Sequence, residues 1–227
     1  NIIVLQHIKI EDPGYIKDLM LADNVNLTTI ELDEGEKIPG DLSKFDGMFC
    51  MGGPMDTYME KEHPWLVDEK KKIKEFVVDL KKPYIGFCLG CQLLGEAVGG
   101  IVIKSKPAEI GIMDINFSKE KNNDILFSTF PEKIKSLQWH SYEVDGLDNN
   151  KDVTVLASSP ITKYQIFKYQ NYAYGIQFHI EIKDTTVNEW GCVPEYKQAL
   201  EDQLGEDALD KFDQAAKNNM SDMNNYS

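Results

Sequence analysis

The chain has 227 residues, of which 42% are hydrophobic, and a formal net charge of −14. This length is typical of one large α/β domain and is long enough to bury a sizeable core. Because so acidic a surface repels phosphate groups, we expect neither a nucleic acid nor a membrane as a partner. No apolar run in the sequence approaches the roughly 18 residues that a membrane-spanning helix needs.

The cysteines and the first residues bear on the cellular compartment. Cys50, Cys88, Cys91 and Cys192 are few for this length, and their spacing suggests no disulfide framework. The apolar start, Asn1–Gln6, is short and carries no basic residue, which favours a buried strand over a signal peptide. We therefore expect a protein of the reducing cytoplasm.

The first part of the chain alternates strand and helix patterns. Short apolar runs predict four strands, at residues 2–5, 27–32, 47–51 and 84–87. Between them, a first helix is predicted to start at Asp12-Pro13, with Asp12 as the N-cap, and a second helix to span 65–80. Strand and helix in alternation are typical of a parallel sheet with helices on both faces.

The pattern changes after Gly99-Gly100, where strand-like segments follow one another without helices. We predict six of them, at residues 101–103, 111–117, 134–139, 153–157, 164–169 and 172–178. This succession indicates an antiparallel or mixed extension of the sheet. Two helices are expected beyond it, near 194–204 and 206–217, and the polar tail 218–227 is expected to fray.

The elements together predict an α/β fold with an open, mixed and mainly parallel sheet flanked by helices. We find no internal repeat and no linker that would divide the chain, so a single domain over residues 1–227 is predicted. Its last part, from about 190 to 227, would be a helical C-terminal extension.

The strongest local motif is Gly86-x-Cys88-x-Gly90, which follows a predicted strand and precedes a predicted helix. Such a strand–turn–helix is the elbow on which α/β hydrolases carry their nucleophile. The glycines would be needed because a side chain at either position would clash with neighbouring backbone. The helix N-terminus would favour the thiolate of Cys88 over the thiol. A buried, purely structural cysteine is the alternative.

A cysteine nucleophile usually requires a histidine base and a group that orients it. His179 ends an apolar strand, and Glu181 stands two residues later, on the same side of an extended chain. The carboxylate could then lie beside the imidazole. A histidine that merely ends a strand, with no catalytic role, is the alternative.

The other histidines are weaker candidates. We expect His63, which precedes a proline, to start a helix. For His7, which follows the first strand, we expect exposure to solvent, and a place near the rim of the site is the alternative. His140 directly follows the predicted strand 134–139 and precedes Ser141 and Tyr142.

A tetrahedral intermediate requires backbone N–H donors aimed at its oxygen. One donor should be the N–H of Leu89, directly after the nucleophile, and the other should come from a loop at the end of a neighbouring strand. The segment Met51–Met55 contains Gly52 and Gly53, which allow a close approach of backbone to a ligand. An ordinary Gly-Gly-Pro turn would also explain this segment.

Taken together, these motifs resemble the class I glutamine amidotransferases with a Cys–His–Glu triad, and among them the stand-alone proteins similar to the amidotransferase domain of GMP synthase. The resemblance covers nearly the whole chain and implies a flavodoxin-like amidotransferase fold. The segments that carry it are Val4–His7, Leu32–Gly35, Met51–Met55, Glu62–Trp65, Gly86–Leu94, Glu109–Gly111, Gln138–Ser141 and Gly175–Glu181.

The resemblance also implies a role for each site residue. The catalytic residues would be Cys88 as nucleophile, His179 as the base that returns the proton to ammonia, and Glu181 as its orienter. The oxyanion amides would belong to Gly53 and Leu89. The substrate contacts would be Gly52, Gln92, Ser141 and Tyr142, and His140 would then have no catalytic part.

Two positions depart from the family's usual pattern. The residue after the triad histidine is commonly proline, and here it is Ile180. Glu181 keeps its register, so the triad should persist. Cys91 stands where the family often has alanine, histidine or methionine. We expect Cys91 to be a small residue packed under the elbow, although Cys88-x-x-Cys91 is also the spacing of a redox pair.

The predicted reaction is hydrolysis of a γ-glutamyl amide bond, in glutamine or in an N-substituted γ-glutamyl amide or peptide, through a γ-glutamyl thioester. It needs no metal or organic cofactor, and the sequence suggests no metal-ligand cluster. The residues after Glu181 are too few for a fused synthetase domain, so we expect a stand-alone hydrolase. The alternatives are a glutaminase subunit that delivers ammonia to a separate synthetase partner, a non-catalytic binding domain and a redox protein.

Overall fold

Nine strands and six helices make up the computed structural model, which describes residues 1–227. The strands are β1 (Ile2–Gln6), β2 (Leu27–Glu31), β3 (Gly47–Cys50), β4 (Tyr84–Phe87), β5 (Ile101–Phe117), β6 (Lys133–Asp145), β7 (Val153–Ser158), β8 (Ile166–Tyr169) and β9 (Ala173–Ile176). The helices are α1 (Gly14–Ala22), α2 (Trp65–Lys74), α3 (Leu89–Ala97), α4 (Thr186–Trp190), α5 (Pro194–Leu204) and α6 (Ala208–Asn224). A π-helical turn over Glu75–Asp79 continues α2.

All nine strands belong to one sheet, in the order β2-β1-β3-β4-β9-β8-β7-β5-β6. The first five strands of this order pair in parallel, and the remaining pairings are antiparallel. The carboxyl ends of β1, β3, β4 and β9 therefore meet at one edge, where open α/β sheets place their sites. The strands of this one sheet come from residues 2–176, and the helices after residue 185 pack against it.

Two of the predicted strands are a single strand in the structure. Residues 101–103 and 111–117 both belong to β5, which pairs antiparallel with β6 over most of its length. The register between the two strands shifts between Lys104 and Glu109. This irregularity, at a polar segment that contains Pro107, interrupts the apolar pattern in the sequence and explains why one strand looked like two.

Two hydrophobic cores cover the two faces of the sheet. They are similar in size, with 25 buried residues in one and 24 in the other. Residues of α2 and α3 belong to one core, and residues of α4, α5 and α6 belong to the other. The mixed sheet with helices on both faces confirms the predicted fold class. None of the helices combines the length and the apolar character needed to cross a membrane.

The helix ends differ in places from the prediction. Helix α1 begins at Gly14, with Pro13 at the N-cap position, although Asp12 Oδ1 still accepts a hydrogen bond of 2.9 Å from the Gly14 N–H. Helix α5 matches the predicted segment. Helix α6 extends to Asn224, so the expectation of a frayed tail was wrong. Beyond it, the Tyr226 ring packs 5.1 Å from Phe130, which anchors the last residues to the turn before β6.

The C-terminal helices are held to β6 by aromatic packing around Trp139. Its ring lies 5.0 Å from Phe212 of α6 and 5.5 Å from Tyr196 of α5, measured between ring centroids. Trp139 and Phe212 are almost fully buried. Since Tyr196 also borders the cavity described below, this packing connects the stability of the C-terminal helices to the shape of the site.

Truncation of Phe212 tests this aromatic packing. We expect Phe212→Ala to lower the free energy of unfolding by about 3–4 kcal/mol, because a large buried ring is lost and a cavity remains. Urea unfolding followed by tryptophan fluorescence would measure the loss. Lys211→Ala, on the exposed side of the same helix, should change stability by less than about 0.5 kcal/mol. Equal effects of the two substitutions would contradict the packing described here.

Candidate active site

Cys88 occupies the turn between β4 and α3, as the N-cap residue of the helix. Its backbone has φ 48° and ψ −102°, a conformation that residues other than glycine rarely adopt. Two backbone hydrogen bonds hold the turn: the Cys88 N–H donates to the Ile176 carbonyl at 2.9 Å, and the Gly90 N–H donates to the Met51 carbonyl at 3.1 Å. Strain of this kind, imposed by neighbouring strands, is typical of nucleophile elbows.

The flanking glycines are required by close backbone contacts. A Cβ atom on Gly86 would lie 2.4 Å from the backbone of Gly90, and a Cβ atom on Gly90 would lie 2.1 Å from the Cys50 carbonyl oxygen. No side chain fits at these distances, so the predicted clash at both positions is confirmed. The spacing of the motif therefore follows from the approach of α3 to the end of β3.

The structure brings His179 and Glu181 together beside Cys88. The Nδ1 atom of His179 and the Oε1 atom of Glu181 are 2.6 Å apart, and both side chains are almost fully buried. The second carboxylate oxygen of Glu181 accepts a hydrogen bond of 2.9 Å from the Ile180 N–H. Isoleucine at this position therefore leaves the His–Glu contact intact, and the edge of the imidazole packs against Trp190.

The imidazole of His179 is stabilised in its protonated form. Burial by itself would lower the pKa of His179, but the charge and hydrogen bond of Glu181, together with the neighbouring Cys88 side chain, outweigh it and raise the pKa well above its ordinary value. A buried imidazolium between a carboxylate and a cysteine sulfur can both favour a thiolate and supply a proton.

The two backbone amides predicted for an oxyanion hole lie next to Cys88. Leu89 is the first residue of α3, so its N–H has no acceptor within the helix. The Gly53 N–H donates to no backbone carbonyl of the protein. A Cβ atom on Gly53 would lie 3.2 Å from the Leu89 side chain, which shows how closely the two residues approach. Both amides are free to donate to a bound oxyanion.

A cavity of about 380 Å³ opens at the carboxyl edge of the sheet, directly over Cys88. Six of the nine predicted site residues line it: Gly53, Cys88, Leu89, Gln92, Ser141 and Tyr142. Glu181, His179 and Gly52 lie behind this wall. The Nε2 atom of Gln92 donates to the Tyr142 carbonyl at 3.0 Å and to Gln177 Oε1 at 3.3 Å, so a ligand would meet the other amide atom, Oε1.

The cavity is also lined by charged side chains and by Tyr58, which the sequence analysis did not predict as site residues. Lys104 is the only lysine or arginine among the lining residues, and Asp56 and Glu195 supply carboxylates. The hydroxyl of Tyr58 donates to Asp56 Oδ2 at 2.8 Å and lies 3.1 Å from the hydroxyl of Tyr142. These residues come from segments far apart in the chain, and no local motif marks them.

The remaining histidines have structural contacts. His7 is completely buried, so the expectation that it faces solvent was wrong. It occupies the end of β1, where the strand meets the loop around Gly52. His63 packs against Trp65 at the start of α2, as its position before a proline suggested. His140 lines the cavity, but its Nδ1 lies 2.9 Å from the Tyr142 carbonyl oxygen.

Cys91 is fully buried beneath the elbow. Its sulfur lies 2.9 Å from the position that a Cβ atom on Gly175 would occupy, so it fills the space against β9. Burial raises the pKa of the Cys91 thiol well above its ordinary value. A thiol that is buried and hard to ionise favours the packing role over that of a redox partner for Cys88.

Glu11 is a buried carboxyl group behind the site that the sequence did not indicate. Its Oε1 atom accepts a hydrogen bond from the Tyr196 hydroxyl, and its Oε2 atom packs against Gly52. Burial raises the pKa of Glu11 to about 7, partly offset by the charge of His179 and the hydrogen bond from Tyr196. A carboxyl group with a pKa near neutrality therefore lies close to the His179–Glu181 pair.

Comparison with a family model shows to which protein family the chain belongs. The model described as glutamine amidotransferase class-I matches residues 16–189. The chain belongs to the class I glutamine amidotransferase family. The resemblance drawn from the sequence motifs is thereby confirmed.

Individual relatives agree with this assignment to the amidotransferase family. The glutamine amidotransferase-like protein YfeJ of Salmonella typhimurium is 31% identical over 75% of this chain and 70% of its own length. One of the subunits of the glutamine-hydrolysing GMP synthase of Picrophilus torridus is 27% identical over 75% of this chain and 81% of its own length. The crystal structure of a glutamine amidotransferase from Thermotoga maritima superposes with a TM-score of 0.85 at 27% identity, covering 99% of this chain and 93% of that one.

Substitution of Glu11 by glutamine tests whether the pKa of this buried carboxyl group is raised. With a pKa of about 7 in the folded chain against an ordinary 4.5, the folded state binds more protons than the unfolded state between these pH values. Stability is therefore lost as the pH rises through this window. Glutamine stays neutral at every pH, so Glu11→Gln does not lose this stability. As the pH rises from about 5 to about 8, we expect the unfolding free energy of Glu11→Gln to increase by roughly 2 kcal/mol relative to that of the wild type.

Urea unfolding of both proteins across this pH range measures that gain. The difference between the two curves isolates Glu11 from the other titrating groups. A difference that stays constant with pH would show that Glu11 is ionised throughout and would contradict the raised pKa.

Proposed function

We propose that this chain hydrolyses a γ-glutamyl amide bond through a γ-glutamyl thioester on Cys88. The observation that carries the proposal is the position of Cys88 in the cavity wall beside His179, whose other ring nitrogen is 2.6 Å from Glu181. Nucleophile, base and orienter in this order make up a cysteine-hydrolase triad. Membership of the amidotransferase family supports the same chemistry.

In the first step, the thiolate of Cys88 attacks the γ-carbonyl carbon of the substrate. The carbonyl oxygen becomes an oxyanion and accepts hydrogen bonds from the Gly53 and Leu89 N–H groups. The imidazolium of His179 then donates its proton to the substrate nitrogen, and the C–N bond breaks. Ammonia or an amine leaves, and the glutamyl group remains bound to sulfur as a thioester.

In the second step, a water molecule takes the place of the departing nitrogen. His179, now neutral, accepts a proton from the water as its oxygen attacks the thioester carbon. The C–S bond breaks, glutamate is released, and the thiolate–imidazolium pair of Cys88 and His179 is restored. Glu181 stabilises the imidazolium and fixes the ring orientation in both steps.

The charges in the cavity suit an α-amino acid. Lys104 supports binding of the α-carboxylate, and Asp56 or Glu195 supports binding of the α-ammonium group. Gln92, Ser141 and Tyr142 would complete the contacts, with Gly52 acting from behind through the loop that it shares with Gly53. A cavity of about 380 Å³ is within the range that holds ligands larger than one amino acid. This size favours a substituted γ-glutamyl amide or peptide.

A second candidate function is that of a glutaminase subunit that delivers ammonia to a synthetase. It is favoured by relatives that are named as subunits of a GMP synthase, such as the Picrophilus torridus protein. In that case glutamine is the substrate, and a separate synthetase is the partner. Either enzyme would work in the cytoplasm, which is supported by four free cysteines.

Glutamate release tests the proposal. The purified protein is incubated with L-glutamine and with a panel of γ-glutamyl amines and dipeptides. We expect release from at least one member of the panel, and we expect Cys88→Ala to reduce that release by at least about 1,000-fold because the covalent route is lost. Trapping of the glutamyl thioester by mass spectrometry of the acid-quenched protein would give direct support for the intermediate.

Cys91→Ala is the matched control, three residues along the same motif. It should retain activity to within a few-fold, because the thiol only fills space. Loss of activity in Cys91→Ala with folding intact would favour the redox hypothesis. Slow release from glutamine alone, stimulated by a co-purifying synthetase, would favour the ammonia-delivering role, and no release in any condition would refute the proposed hydrolysis.

A further inference from the structure

His7 connects the loop after β3 to helix α2. Its Nδ1 atom lies 2.8 Å from the Gly52 carbonyl oxygen, and its Nε2 atom lies 2.9 Å from Glu69 Oε1 of α2. The side chains of His7 and Glu69 are completely buried. Buried polar groups need hydrogen-bond partners, and here each ring nitrogen of His7 has one, so the two contacts fix the orientation of the ring.

The hydrogen bonds define where the protons of His7 lie. The Gly52 carbonyl oxygen can only accept, so Nδ1 of His7 must carry a hydrogen. Nε2, on the other side of the ring, faces Glu69. Burial by itself would lower the pKa of His7, but the charge and hydrogen bond of Glu69 outweigh burial and raise the pKa above its ordinary value. Glu69 therefore favours the protonated ring, in which one N–H faces the carboxylate and the other faces the Gly52 carbonyl.

The contact with Gly52 determines where the next N–H points. In a planar trans peptide, the C=O and N–H groups point in opposite directions. Since His7 holds the Gly52 carbonyl on its own side, the N–H of Gly53 is turned away from His7. Gly53 lines the cavity together with Cys88 and Leu89, and its N–H donates to no backbone carbonyl of the protein.

Such an anchor is needed because the loop has little stiffness of its own. Gly52 and Gly53 have no Cβ atoms to restrict rotation of the peptide between them. Side chains are excluded at both positions: a Cβ atom on Gly52 would lie 2.2 Å from Glu11 Oε2, and one on Gly53 would lie 2.9 Å from the Cβ atom of His7. An external hydrogen bond must then supply the orientation.

We propose that His7 is a positioning residue of the active site, which holds the Gly52–Gly53 peptide so that the Gly53 N–H faces the oxyanion formed at Cys88, and that Glu69 holds His7. This inference rests on the proposed hydrolysis. His7 itself touches neither substrate nor reacting atoms. The hydrogen bond from Nδ1 of His7 to the Gly52 carbonyl also polarises the peptide and strengthens the Gly53 N–H as a donor.

Two substitutions of His7 separate positioning from general damage. The amide nitrogen of asparagine can take the place of Nδ1 and donate to the Gly52 carbonyl, whereas that of glutamine reaches towards Glu69. We expect His7→Gln to lower kcat by about 10–100-fold with KM changed by less than about 3-fold, because an oxyanion donor acts on the transition state. His7→Asn should recover most of the lost kcat.

Alkylation of Cys88 by iodoacetamide provides a readout that does not use the oxyanion hole. The rate should be similar in the wild type, His7→Gln and His7→Asn, which would show that the nucleophile and the fold are intact. Equal kcat values for wild type and His7→Gln would overturn the positioning role of His7 and leave the proposed hydrolysis standing. A wild type without Cys88-dependent glutamate release would overturn the proposed hydrolysis, and the oxyanion role with it.

The same cluster offers a second interpretation that the experiment also tests. One donor atom each of His7, Cys50 and Glu69 lie within 4.8 Å of one another, a grouping that the sequence spacing did not suggest. If these residues held a metal ion, elemental analysis of the purified protein would find a stoichiometric metal that is lost in Glu69→Gln. That result would overturn the proposed role, since Nε2 of His7 would then be a ligand. Metal-free active protein would support it.

Discussion

Two backbone hydrogen bonds at the elbow connect every part of the site. One runs from the Cys88 N–H to the Ile176 carbonyl of β9, and the other from the Gly90 N–H to the Met51 carbonyl after β3. They hold Cys88 at a positive φ, and they also set the distances from the sulfur to the strand end that carries His179 and to the loop that contains Gly53. Strain at one residue is thus the consequence of bringing three strand ends together.

Two of the three buried histidines at the site, His7 and His179, follow the same arrangement. Each has one ring nitrogen on a glutamate carboxylate, Glu181 for His179 and Glu69 for His7. The other ring nitrogen of His7 lies 2.8 Å from the Gly52 carbonyl oxygen, and the ring of His179 neighbours Cys88. Each carboxylate raises the pKa of the histidine that it contacts, against the effect of burial.

Local sequence patterns determined a large part of the fold and of the site. The apolar runs located the parallel strands, and the elbow motif located Cys88, because a strand, a strained turn and a helix must follow one another within a few residues. His179 and Glu181 could be paired from their spacing alone, since alternate residues of an extended chain share a side. The amidotransferase family could be named for the same reason, as its motifs are short and contiguous.

Only the tertiary structure decided which distant side chains meet at the carboxyl edge of the sheet. Lys104 and Glu11 come from segments without a recognisable motif, and they reach the site because β5 and the end of β1 lie there. His7 looked like an exposed residue after a strand, but α2 covers it and supplies Glu69 as its partner. Burial and charge pairing depend on elements that are far apart in the chain, so these contacts have no signature in the local sequence.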